Sequence, residues 1–215
     1  SFFKSAISAA SDLNESLNKT RVVFRAASGD VEAFAATSAR AVGLSKQAAF
    51  EALGTFGNLF QALGSTRQAA ASMSITTVRL AADLASFNNI GVDEALERLR
   101  SGLVGEIEPL RRLGISFNAA QVEAKALALG LADSTGAISE GAKVQARLAL
   151  IIEQSGNALG DFARTADDLA NKTRIVTAEF QDMQARLGQK LQPLLLDTLV
   201  AIESLIVGVG NLATK

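Results

Sequence analysis

With 215 residues, 21 Lys plus Arg and 22 Asp plus Glu, the chain has a formal charge of -1 and no net field to draw in nucleic acid or an anionic membrane. Cys and His are both absent, which excludes thiol and imidazole nucleophiles, histidine bases, disulfides and zinc sites of the usual ligand sets. Trp and Tyr are absent too, so the 11 Phe carry all the aromatic surface and offer few stacking platforms for single-stranded nucleic acid.

The length suits one sizeable core or two small helical units. Hydrophobic residues make up 48%, and the excess is mostly Ala. Ala is a strong helix former, but helices that are apolar on more than one face pack against more than one neighbour. Self-association or enclosure by a partner is therefore expected. The chain opens SFFKSAISAA without an initiator Met and ends inside a helical pattern, which reads as a fragment. Residues 1–10 are too short a run, interrupted by Lys4, for a signal peptide.

Leu13, Leu17, Thr20 and Phe24 share one helical face, and this first helix is expected to end near Ser28 and Gly29. Asp30 is the expected N-cap of a second helix with Val31, Phe34, Ser38 and Val42 on its face and Gly43 as a left-handed C-cap. Ser45 caps the third, whose face is Ala49, Ala52, Phe56, Leu59, Phe60 and Leu63. Gly54 and Gly57 mark either the close approach of another helix or a local bend. After Gly64, Ser65 or Thr66 starts a fourth helix with Met73, Thr77, Leu80, Leu84 and Phe87 inward.

Asn88, Asn89 and Gly91 break that helix, with Gly91 accepting a positive φ, and Asp93 caps the next. Leu96, Leu99 and Leu103 form its inward face, with Gly102 and Gly105 loosening its end. Pro109 fits the first turn of a short helix that points Leu110 and Leu113 inward and stops at Gly114. Asn118 caps a helix with Val122, Ala126 and Leu129 inward. Asp133 to Gly136 reads as a turn, and Ser139 opens a helix with Val144, Leu148, Ile151 and Ile152 on its face.

From Asp161 the longest pattern begins. Leu169, Val176, Phe180, Met183, Leu187, Leu191, Leu194, Ile202, Leu205 and Val209 recur at a period nearer 3.6 than 3.5 residues, which predicts a helix of about 75 Å without strong left-handed supercoiling. Pro193 removes a hydrogen bond to the Gln189 carbonyl, so a kink is expected there. The apolar window at residues 194–209 carries Asp197 and Glu203 and falls short of a membrane span.

Candidate chemistry is sparse. Glu106 and Glu108 resemble the carboxylate pair of a glycoside hydrolase, but they diverge on a helix and suit its N-terminal dipole and pairing with Arg98, Arg100, Arg111 or Arg112. Gly102 and Gly105 lack the Gly-Lys-Ser/Thr of a phosphate loop. Asp161, Asp167 and Asp168 lack calcium-loop spacing and read as first-turn acids. No enzyme, cofactor or metal site is expected.

Six blocks, in order, resemble the tail length tape measure proteins of long-tailed bacteriophages and prophages. They are residues 10–24 (ASDLNESLNKTRVVF), 50–60 (FEALGTFGNLF), 80–89 (LAADLASFNN), 99–114 (LRSGLVGEIEPLRRLG), 122–131 (VEAKALALGL) and 162–191 (FARTADDLANKTRIVTAEFQDMQARLGQKL). The resemblance implies a longer, largely helical parent chain, made in the host cytoplasm, whose length helps set tail length. It implies several copies in the lumen of the virion's tail tube, tube subunits polymerising around them, and release ahead of the genome. Partners on this reading are further copies of the chain, with a trimer as one form, the tail tube protein, tail tip or assembly chaperone proteins, and the host membrane at ejection, with no specific nucleic acid.

The expected fold is all-α. The glycine hinges cut residues 1–160 into a compact module of short helices, and residues 161–215 form a long amphipathic helix that begins a rod-like or coiled region. The residues expected to carry packing and interaction are Leu96, Leu99, Leu103, Pro109, Leu110 and Leu113 in the module, and Val176, Phe180, Met183, Leu187, Leu191 and Pro193 on the long helix. The rival reading is a membrane-active or pore-forming helical protein, and a third is an all-helical lytic enzyme using Glu106 or Glu108.

Overall fold

The computed structural model describes residues 2–213, with side chains as far as Leu194. Its order is α1 (Phe2–Phe24), a 3-10 turn (Arg25–Ala27), α2 (Ser28–Val42), α3 (Lys46–Ala62), α4 (Arg67–Phe87), α5 (Val92–Val104), α6 (Glu108–Arg111), α7 (Ala119–Ala128), α8 (Glu140–Gln154), α9 (Asp161–Arg164) and α10 (Leu169–Ala213). No strand occurs among the described residues, as expected for an all-α chain.

Helix starts follow local side-chain chemistry. Ser45, Thr66 and Ser139 each accept a hydrogen bond from the backbone N–H three residues on. Asn118 goes further and forms a reciprocal capping box with Gln121. Gly43 ends α2 at φ 68°, and a side chain there would also crowd the Phe162 ring 3.1 Å away, so two independent constraints demand glycine.

Other boundaries differ from expectation. The first break falls at Arg25, which takes a left-handed φ of 48°, and Gly29 lies within the first turn of α2, where Asp30 is a first-turn acid rather than the N-cap. The turn after α4 uses Asn89 at φ 50°, while Gly91 is extended and is itself the N-cap of α5, leaving Asp93 in the first turn. Phe87 and Leu129, expected inward, are exposed, the first as the last residue of α4 and the second as the C-cap of α7. The long helix begins at Leu169, and only the single turn α9 forms at Asp161.

The core is continuous from Leu13 to Ala185. Phe24, Leu53, Phe56 and Phe60 fill the α1–α3 side, and the Phe24 ring lies where Gly57 lacks a Cβ, so that glycine marks a close helix approach. Leu99, Leu103, Leu110 and Ile115 are fully buried where α5 and α6 turn back on each other, with Leu113 nearly so and Leu96 packed at the margin. Gly102 stays inside α5 beneath Leu110. Pro109 occupies the first turn of α6. Much of the Ala excess is spent here: Ala35, Ala49, Ala70, Ala71, Ala81, Ala82, Ala85 and Ala95 are all fully buried, which lets helices pack at short interaxial distance.

Helix α10 lies along α1 and also touches α2 and α3. The helix continues through Pro193. The expected apolar positions Ile202, Leu205 and Val209, and the acids Asp197 and Glu203, lie outside the described side chains. Among the described residues no helix is long and apolar enough to cross a membrane.

Gly188 is the tightest point of the α1–α10 seam. A Cβ there would overlap the Ala6 carbonyl oxygen and stand 2.8 Å from the Ala10 Cβ. In an unpacked helix Gly188→Ala would stabilise by about 1 kcal/mol. In this fold the same change should destabilise by about 1–3 kcal/mol through overpacking, and the sign of the shift in a urea unfolding midpoint decides between them.

Candidate interaction surface

Helix α10 is held by three sets of contacts. The first is a polar knot where it begins. Asp83 on α4 accepts the N–H groups of Gly160 (2.8 Å) and Phe162 (3.2 Å), fixing α9. The Ser86 hydroxyl donates to Asp161 (2.6 Å), and Asn171 Nδ2 donates to both the Ser86 and Thr165 hydroxyls (2.8 Å each). Arg174 donates to Asn171 Oδ1 (2.7 Å) and to the Ile90 carbonyl (2.6 Å), and burial pulls its guanidinium below the ordinary arginine value. Asn171 is only 2% exposed, so its pairing is obligatory.

The second set is steric. Asn171, Ala178 and Ala185 recur every seven residues and are buried, and with Gly188 they give α10 a face of small residues toward the module. The third set is electrostatic. Asp182 accepts the Lys46 N–H at 2.8 Å, adding a second acceptor to the N-terminus of α3, and Glu179 accepts from Arg40 at 2.7 Å.

The opposite face of α10 is exposed and apolar. Leu169, Val176, Phe180, Met183 and Leu187 run along it, from 39% exposed at Leu187 to 85% at Leu169. Their steps of seven, four, three and four fit a heptad, with Thr173 filling the one missing position. Leu191 is half-buried beside the stripe, and Pro193 is exposed. The expected interaction residues therefore separate into two groups in space. Leu99, Leu103, Leu110 and Leu113 are core, whereas Val176, Phe180, Met183 and Leu187 form a surface.

Several charged residues elsewhere have structural partners. Glu108 pairs with Arg111 (2.9 Å) on an exposed turn, Arg100 pairs with Glu97 (3.1 Å), and Arg98 pairs with Glu94. Glu106 and Glu108 are both exposed and line none of the larger clefts described for the fold. An open groove of about 620 Å³ beside α1, α3 and α10 is lined by Lys4, Ser8, Asp12, Glu51 and Asp182 among others. Glu51 there is held by Ser16 and Gln47. Among the described residues no group of acidic side chains is placed to hold a metal ion.

The small-residue face escaped sequence reading because the periodicity was taken from the large apolar residues. The Asn171, Ala178, Ala185 register carries the signal that would have found it.

Burial raises the Asp182 carboxyl above its ordinary value of 3.8, only partly offset by the Lys46 N–H and the charges of Lys46 and Arg186. Folding thus favours the neutral acid. Its stabilising contribution is complete below 3.8 and is lost as pH rises through the raised folded value. Asp182→Asn keeps an oxygen acceptor for Lys46, so the variant should gain on the wild type as pH rises through that window, measured as the difference in urea midpoints. Comparisons with protein-family models, with curated protein sequences and with solved structures return no match for the chain.

Proposed function

We propose that the chain is part of a phage tail tape measure protein, a structural component rather than an enzyme. On this reading it occupies the lumen of the tail tube, helps set tail length during assembly and leaves ahead of the genome. The observation that carries the reading is α10, which is anchored by its small residues while a heptad-spaced apolar stripe faces outward. The six ordered blocks that resemble the family add to it.

A contiguous apolar stripe of this kind is a contact surface in search of a partner. The partners proposed are further copies of the chain, the tail tube protein, and tail tip or assembly chaperone proteins, with no specific nucleic acid. The near-zero charge suits a protein that shares a narrow channel with other protein more than one that grips a phosphate backbone.

Tail length is the decisive measurement. Duplicating Leu169–Ala213, a helix of 45 residues, in the gene within its own genome should lengthen tails by about 70 Å at 1.5 Å per residue, read by electron microscopy of purified particles. Unchanged tail lengths, or particles that lack the chain, would overturn the proposal. Release of dye from lipid vesicles by the purified chain would instead favour the membrane-active reading.

A further inference from the structure

We propose that the α10 stripe is the docking site for a second copy of this chain, paired antiparallel about a two-fold axis between positions 181 and 182. The stripe is on the far side of α10 from Ala178 and Ala185, about 180° around the helix at 100° per residue. Docking there leaves the α1–α10 seam undisturbed. What selects the occupant is charge and size complementarity of the stripe with itself.

In the antiparallel register, Phe180 meets Met183 of the second copy and Val176 meets Leu187, each contact occurring twice by symmetry. Flanking these layers on one side are Glu179 and Arg186, seven residues apart. Antiparallel pairing sets Glu179 of each copy beside Arg186 of the other, giving two opposite-charge pairs at the rim. The Arg40 bond engages one oxygen of the Glu179 carboxylate, which has further acceptor sites. The exposed Lys190 faces the Thr173 hydroxyl across the axis.

Parallel in-register pairing loses all of this. It stacks Lys190 on Lys190 within the apolar seam and sets Glu179 and Arg186 beside Gln184 and Leu191 instead of each other. The stripe is short, so the antiparallel dimer belongs to the small, transient class of interface and forms reversibly with concentration. The inference shares the stripe with the tape measure reading but is tested apart from it, by dimer register here and by tail length there.

The absence of Cys makes the register directly readable. Val176→Cys and Leu187→Cys are both at exposed positions, so the 215-residue chain should fold with either. Under mild oxidation at concentrations where sedimentation shows dimer, each variant alone should stay unlinked, because equivalent positions lie about 16 Å apart along the axis, beyond disulfide reach. An equimolar mixture should give the mixed disulfide. In parallel, Glu179→Arg or Arg186→Glu alone should weaken dimerisation about tenfold, and the two changes together should restore it. A dimer cross-linked through Val176→Cys alone, a statistical mixture of all three products, a chain that remains monomeric, or failure of the double charge swap to rescue would each overturn the proposal.

Discussion

The close approach of α1 and α10 is the constraint on which the rest of the structure depends. Two helices come this near only when the residues between them are small, and here those residues are Ala6 and Ala10 on one side and Gly188, with Ala185 one turn before it, on the other. Once a helix turns its small residues inward, its large apolar residues are committed to the remaining circumference. The exposed stripe from Leu169 to Leu187 is therefore a geometric consequence of the seam and not an independent decoration. A bulkier inward face would have pushed the helices apart and weakened the Asp182 and Glu179 bonds that span from α10 to α3 and α2.

The polar knot at Ser86, Thr165 and Asn171 fixes where α10 starts and how it is rotated. Its donors and acceptors are directional, whereas the Ala contacts tolerate sliding. With Asn171 buried and bonded to two hydroxyls, and with its carbonyl taken by Arg174, the helix has one rotational setting. That setting aims the small residues at the module and holds the stripe toward solvent.

Features decided within one turn of chain were legible from the sequence. Gly43 as a left-handed cap, Ser45, Asn118 and Ser139 as N-caps, Thr66 as one of two candidate N-caps, and Pro109 in a first turn all depend on a side chain and its immediate backbone. The inward faces of α5 and α6 were legible too, because Leu99, Leu103 and Leu110 have no competing apolar face. What escaped was set by distant chain. Arg25 takes the strained turn in place of Gly29 because Phe24 must enter the core beside Gly57. Phe87 and Leu129 continue the apolar pattern of their helices to the helix ends, where they are exposed. On α10 two stripes coexist, and hydrophobicity alone ranks the large one first, although the packed helices of the module select the small one.

The α1–α10 seam also orders the folding of the chain in time. Gln189 bonds to Asn14 across 175 residues of sequence, so the two walls of the seam are synthesised almost at opposite ends of the described chain. Contacts of such long separation close late, after the loop entropy between them has been reduced by local pairing. Helices α2 to α9 can collapse on their neighbours as they emerge, while the Ala6 and Ala10 face of α1 waits uncovered for α10. The narrow residues that make the final seam tight also make that waiting surface small and weakly adhesive, which limits misassembly before the last helix arrives.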